Sequence, residues 1–208
     1  MSEGHDDLHA ITTLEALLAR YGEPREASIR KEVDRVTPHY AAMIAASPFF
    51  VLATSGPDGL DASPRGDRPG FVVVEDERTL LVPDRPGNNR IDSLRNLVAD
   101  PRVALLFLIP GVGETLRVNG RATISTDPAL VARFVVGDRP PRCVLVVRVE
   151  TVYFQCARAI HRSRLWEPAD RRADVPSAGA ILDALTDGGI DGPAYDAGLA
   201  ERQRETLY

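Results

Sequence analysis

The sequence predicts a mainly β fold with peripheral helices, arranged as an antiparallel barrel. Three observations carry this reading. Between residues 48 and 166, apolar strand-like runs follow one another in hairpin order, separated by short Gly-, Pro- and Asp-containing turns. The strand–helix–strand alternation of a doubly wound sheet is missing. Helical spacings gather at the two ends, with only two short insertions between the strands. The chain thus divides into an N-terminal helical segment (1–47) packed on the barrel, the barrel itself (48–166) and a helical tail (167–208), as one structural domain overall. A length of 208 residues with 44% hydrophobic residues suffices for such a core.

Taken in order, Leu8, Ile11, Leu14, Leu17 and Leu18 recur at helical spacing and stop at Tyr21-Gly22. Pro24 opens a second helix through Val36, and Pro38 a third through Ala46. Phe49 to Thr54 is a buried-strand pattern closed by the turn Gly56-Pro57-Asp58-Gly59, and Leu60 to Arg65 returns. Phe71 to Val74 and Thr79 to Val82 flank Asp76-Glu77-Arg78 as another hairpin. A helix from Asn89 to Asp100 stops before Pro101, and Val103 to Ile109 is the next strand. Glu114 to Ser125 predicts a long strand with a bulge at Gly120. Asp127 caps a short helix through Val136. Cys143 to Gln155 is the last strand. Ala169 to Pro176 is a charged connection, followed by helices over Ser177–Thr186 and Tyr195–Leu207.

Composition closes several functional classes. A net charge of −5 argues against a protein that grips nucleic acid. No run approaches the roughly 20 apolar residues of a membrane span. The opening Met1-Ser2-Glu3-Gly4-His5-Asp6-Asp7 is acidic where a signal peptide is basic, which suits a cytoplasmic protein without membrane partners. Cys143 and Cys156 are too few for a zinc site or disulfide framework, and each lies in an apolar stretch where a buried, inert thiol is the default. The four histidines, at 5, 9, 39 and 161, show no metal-pair spacing. Lys31 is the only lysine, so a Walker loop is excluded and any bound phosphate must be held by arginine, hydroxyls or backbone amides. No Gly-x-Ser-x-Gly elbow and no isolated carboxylate couple stands out. If the chain is an enzyme, an organic cofactor carries the chemistry.

Two polar stretches stand against the strands. One is Ala62-Ser63-Pro64-Arg65-Gly66-Asp67; the other is Pro83-Asp84-Arg85-Pro86-Gly87-Asn88-Asn89-Arg90, which also opens a helix. Exposed amides at a helix start, with Asn and Arg beside them, suit a phosphate. The alternative is two ordinary loops whose arginines face solvent. A third stretch, Arg158 to Trp166, lies in the most basic part of the chain. From Arg142 to Arg172 there are seven arginines against three acids, with Tyr153, Phe154 and Trp166 interleaved. It suits a flat, anionic ligand, or else a short helix that packs Trp166 while its arginines pair with Glu150, Glu167 and Asp170.

From about Pro48 to Trp166 the chain resembles the FMN-binding split-barrel proteins related to pyridoxamine 5′-phosphate oxidase. The residues that carry the resemblance are Phe50 to Thr54, Ser63-Pro64-Arg65-Gly66-Asp67, Pro83 to Asn96, Glu114 to Gly120, and Gln155-Cys156-Ala157-Arg158-Ala159 through Arg162-Ser163-Arg164-Leu165-Trp166. The resemblance implies a six-stranded antiparallel split β-barrel, a homodimer with FMN at the interface, and an oxidoreductase acting on a small-molecule substrate. On the same basis Ser63 and Arg65 lie along the flavin ring, and Asn88, Asn89 and Arg90 hold its phosphate. Thr115 and Arg117 line the ring edge, while Gln155, Arg162 and Ser163 reach the flavin from the partner subunit. Two departures bear on the reaction. Ile160-His161-Arg162-Ser163-Arg164 lacks the Arg-x-His pair of the vitamin-processing oxidases, so oxidation of pyridoxamine phosphate itself is not expected. Gln155-Cys156-Ala157-Arg158-Ala159 stands where related proteins have His-Cys-Ala-Lys-Ala. The fold also admits a non-catalytic flavin-binding protein, or a barrel that takes deazaflavin or haem.

Overall fold

Period-two burial runs along β1 (Phe49–Gly56), where Phe50, Leu52 and Thr54 are buried and the residues between them are less so. The computed structural model describes residues 9–208. The other strands are β2 (Gly59–Gly66), β3 (Val73–Asp76), β4 (Thr79–Asp84), β5 (Arg102–Leu108), β6 (Thr115–Ser125) and β7 (Cys143–Gln155). They form one antiparallel sheet in the order β2-β1-β5-β6-β7-β4-β3. The sheet therefore has seven strands, matching the seven strand-like runs of the sequence, where the family resemblance implied six.

The prolines mark the edges. Pro64, which has no amide donor, lies in the edge strand β2. Pro83 lies in β4 beyond the last residue that pairs with β3. The β6–β7 register shifts between Asn119 and Gly120, at the bulge read from the sequence. A Cβ at Gly120 would stand 2.1 Å from the Arg148 carbonyl oxygen. The core gathers on one face of the sheet, where Phe50 packs on Phe107 and Phe71 at centroid distances of 5.0 and 5.8 Å. Leu52, Leu105, Leu116, Val118, Leu145 and Val152 complete it.

The chain forms two compact units, Met1–Glu32 and Val33–Tyr208. In the first, α1 (Leu14–Leu18) starts at Thr13, whose Oγ1 accepts the Ala16 amide, and α2 spans Glu26–Arg30. The expected start of the first helix, at Leu8, lies outside the described residues, as does His5. The second helix does not run on to Val36. Thr37 is held extended before Pro38, and Val33 forms a bridge with Val152.

In the second unit, α3 (Pro38–Ala46) is capped by Thr37 and buries Tyr40 and Ile44. Helix α4 (Asp92–Ala99) begins three residues later than expected. Asn88 Oδ1 accepts the Arg90 amide at 3.0 Å, and Asn89 adopts a left-handed φ of 60°, which a helix does not accommodate. Asn96 of α4 donates to Thr54 Oγ1 at 3.2 Å and leaves no room for a side chain at Gly56, which anchors the helix on the first hairpin.

Asp127 caps α5 (Pro128–Ala132), which stops short of Val136. After α6 (Arg158–Ser163) the tail contains a 3₁₀ turn (Arg172–Asp174) and three helices: α7 (Ala178–Leu185), α8 (Gly192–Ala197) and α9 (Leu199–Glu205). Asp191 caps α8, and Gly198 separates two helices where one was expected. Asp196 accepts from Ser177 Oγ and the Gly179 amide, tying α8 to α7. Cys143 is buried as expected. Cys156 is exposed instead, because β7 ends one residue before it. Among the described residues no helix is long and apolar enough to cross a membrane.

Gly120→Ala is expected to lower stability by about 1–3 kcal/mol, the scale of an overpacked site. A urea unfolding curve should show a lower midpoint with an unchanged slope. An unchanged midpoint would mean that the bulge opens without cost.

Candidate functional site

Strand alternation sets Asp61, Ser63 and Arg65 on the inward face of β2, opposite Thr54, Leu52 and Phe50. The same parity brings Asp84 of β4 to that face, beside Leu80 and Val82. The curl of the sheet then joins strands that are far apart in its order. Arg65 Nε lies 3.9 Å from Asp84 Oδ1. Just beyond the strand ends, Arg85 Nε donates to Asp67 Oδ2 at 2.8 Å, with the Asp67 side chain only 4% exposed. These crossed ion pairs bring together the two polar stretches that the sequence singles out.

A hydroxyl cluster forms beneath them. Ser63 Oγ lies 2.7 Å from Ser93 Oγ, in the first turn of α4. Arg65 Nη1 donates to Ser63 Oγ at 3.0 Å, and Nη2 reaches Ser93 Oγ at 3.3 Å. Both hydroxyls also donate to Asp61 Oδ2, at 3.0 and 2.5 Å. The cluster is thus arranged to hold a negatively charged oxygen, and in this chain it holds one of its own. The start of α4 adds further donors, since Ile91 at the cap position supplies no side-chain acceptor. Asn88, Asn89 and Arg90 precede that helix start and are exposed. Arg90 Nε pairs with Asp92 Oδ2 at 2.5 Å. That bond raises the Arg90 guanidinium above its ordinary value, and the Asp61 carboxylate adds to the effect.

Burial pushes Asp84 above the usual carboxylate range, against the pull of Arg65 and Arg142. Its cross-strand neighbour Cys143 is pushed up to about 11 by burial and by the Asp84 charge, so the thiol stays protonated. Asp67 moves the other way. Burial opposes its charge, yet the Tyr208 hydroxyl, the Arg68 amide and Arg85 together hold it below the ordinary range. A carboxylate depressed in the fold adds stability above its unfolded pKa, and that stability is lost as pH falls through the folded value.

The other residues expected at the site fall elsewhere. Arg117 pairs across to Leu106 and Tyr153, and Leu106 to Val51, which sets Arg117 on the outward face of the sheet. Thr115 and Gln155, directly opposite each other, share that face. Arg117 Nη1 donates to Tyr153 Oη at 2.9 Å, and the Gln155 amide oxygen accepts from Nη2 and Nε at 2.8 and 2.9 Å. Arg162 and Ser163 lie exposed on α6, where Ser163 Oγ donates to the Ile160 carbonyl. Trp166 donates its indole N–H to the Val112 carbonyl at 2.7 Å and lines an apolar cavity of about 280 Å³ with Phe49, Leu108, Pro110 and Leu165. Of the acids considered for the nearby arginines, Glu167 lies 3.9 Å from Arg164.

Within one chain, then, Ser63 and Arg65 meet Ser93 in the first turn of α4, the helix that follows the Asn88–Arg90 segment. Thr115, Arg117 and Gln155 form a second group across the sheet. Sequence reasoning missed Asp61, Ser93, Asp84, Asp67 and Arg85 as site residues. The i, i+2 pattern Asp61-x-Ser63-x-Arg65 was the available signal for the first, and a hydroxyl in the first turn of α4 for the second.

Fold and site together define an antiparallel β protein with an anion-accepting cluster inside the curl of its sheet. The profile of the pyridoxamine 5′-phosphate oxidase family matches residues 36–156, more than half of the chain, and the chain belongs to that family. A comparison with curated proteins finds no match. Among solved structures, HupZ of Group A Streptococcus is similar at 18% identity, covering 58% of this chain and 94% of its own, with a TM-score of 0.48. General stress protein 26 of Bacillus anthracis is 18% identical over 54% of this chain and 88% of its own, with a TM-score of 0.42. An FMN-binding protein of Syntrophomonas wolfei is 12% identical over 54% and 80%, also with a TM-score of 0.42.

The two thiols should differ in reactivity. A disulfide reagent at pH 8 is expected to modify one thiol per native chain, Cys156, and both only in denaturant. Two fast thiols in the native protein would show that the Asp84–Cys143 end of the sheet is open.

Proposed function

We propose that the chain is an FMN-dependent oxidoreductase acting on a small organic molecule. The observation that carries this reading is the cluster of Ser63, Arg65 and Ser93 at the uncapped start of α4, with Arg90 beside it. Two hydroxyls, two guanidinium groups and free helix amides match the donor demand of a phosphate monoester. Family membership and the resemblance of these stretches to flavin-binding split barrels support FMN among phosphate-bearing ligands. Bound FMN supplies a two-electron redox centre.

The protein's own residues bind and orient. Arg65, kept in place by Asp84, and the Ser63 and Ser93 hydroxyls receive the phosphate, with Asp61 giving up their hydrogen bonds as the ligand enters. Arg90 and the Asn88–Asn89 turn close the exposed side. Arg117, clamped by Tyr153 and Gln155, offers fixed positive charge that favours an anionic reduced ring. Because the two groups lie on opposite faces of the sheet, the arrangement suits a ligand held between two copies of the chain. We accordingly propose a homodimer in which one copy supplies the phosphate cluster. The other supplies the outward group of Thr115, Arg117 and Gln155, together with Arg162 and Ser163.

Arg90→Ala tests the reading with little risk to the fold, since that side chain is 79% exposed. FMN affinity is expected to fall roughly tenfold or more, in line with the loss of one charge-assisted contact. Riboflavin, which lacks the phosphate, should bind the variant and the wild type alike in fluorescence titrations. Unchanged FMN affinity would remove Arg90 from the site.

A further inference from the structure

The helical tail has no part in the binding scheme so far, yet its end lies against the candidate site. Tyr208 Oη donates to Asp67 Oδ1 at 2.7 Å, and the Arg85 guanidinium carbon lies 5.5 Å from the Tyr208 ring centroid. The Arg68 amide donates to the same carboxylate oxygen at 2.7 Å, while Arg85 holds the other. Arg85 Nη1 reaches the Phe134 carbonyl at 2.7 Å. Arg139 Nη1 binds two backbone oxygens of the tail, of Glu205 at 2.9 Å and of Tyr208 at 2.6 Å.

A nearly buried carboxylate needs most of its lone pairs filled. Two of the three groups that fill those of Asp67 come from the loops it joins, namely Arg68 and Arg85. The third comes from Tyr208, 141 residues further along the chain. Asp67 and Arg85 are also each within two residues of a partner in the other ion pair, Arg65 with Asp84. A shift of either would carry Arg65 away from the serine hydroxyls.

We propose that Tyr208 is a positioning residue for the anion-accepting cluster: by completing the Asp67–Arg85 clamp, the tail holds the β2 end and the Pro83–Arg90 loop in the geometry that receives a phosphate. This rests on reading the cluster as a phosphate site. It makes the tail a strap, whose release loosens both loops together and weakens phosphate-bearing ligands selectively.

Amide hydrogen exchange on the wild-type chain and Tyr208→Phe, without ligand, reads the clamp directly. Loss of the hydroxyl is expected to speed exchange roughly tenfold in segments 64–70 and 84–92, the effect of one hydrogen bond to a charged group. Segment 115–125 should be unchanged. Arg139→Gln, which frees the tail without touching Asp67, should give the same pattern. Added FMN should bind Tyr208→Phe roughly fivefold more weakly while riboflavin binds equally, a split that general destabilisation does not produce. Faster exchange confined to residues 199–208, or equal weakening of both flavins, would overturn the proposal. A wild type that binds neither flavin would sink the cofactor reading, and the exchange comparison would still decide the role of Tyr208.

Discussion

The organisation of this molecule depends on two crossed ion pairs, Arg65 with Asp84 and Asp67 with Arg85, which stitch β2 to β4 across the open side of a curled sheet. In sheet order these strands lie five places apart, so no backbone ladder joins them. Side chains do the joining. The Asp67–Arg85 pair is largely shielded from water, and removing one member of such a pair typically costs about 3–5 kcal/mol because the other is left charged and alone. The same stitch sets the Pro83–Arg90 segment beside the end of β2, while Asn96 seats α4 on the first hairpin so that Ser93 meets Ser63.

The inward face of β2 is unusual for a strand that borders a core. Where β1 presents Phe50, Leu52 and Thr54, its neighbour presents Arg65, Ser63 and Asp61. Such a polar row is costly unless every member is paired. Here each is paired within the row or to Ser93 and Asp84. A row built this way contributes little to packing, and its donors are aligned on one another and on the Asp61 carboxylate. Across the sheet, Arg117 is held by Tyr153 and Gln155 in a similarly fixed position.

Much of this was legible in the sequence, for physical reasons that differ from element to element. Alternating apolar residues and turn chemistry marked the strands, and Gly120 marked the bulge, because those signals are local. Asp127 and Ser177 could be read as helix starts for the same reason. The polar stretches at 62–67 and 83–90 stood out by composition, and the structure places them together. Their pairing was not legible, since Asp67 and Arg85 meet only through the curl of the whole sheet. Tyr208 carried no local signal at all. Nor did the separation of Arg117 from Arg65, which follows from strand parity accumulated across four strands. Cys156 was read as buried because its neighbours are apolar, whereas the strand ends at Gln155. The last helix split at Gly198, where the apolar pattern alone ran through.

The proposed role of the Ser63–Arg65–Ser93 cluster, in a chain of the pyridoxamine 5′-phosphate oxidase family, is to receive the phosphate of FMN. The most direct test is the visible absorption spectrum of the purified chain after mixing with FMN and gel filtration, beside a parallel sample mixed with riboflavin. Flavin absorbance that travels with the protein in the FMN sample, and is much weaker in the riboflavin sample, is the result this account predicts. Protein that elutes colourless from both, or retains the two flavins equally, would contradict it.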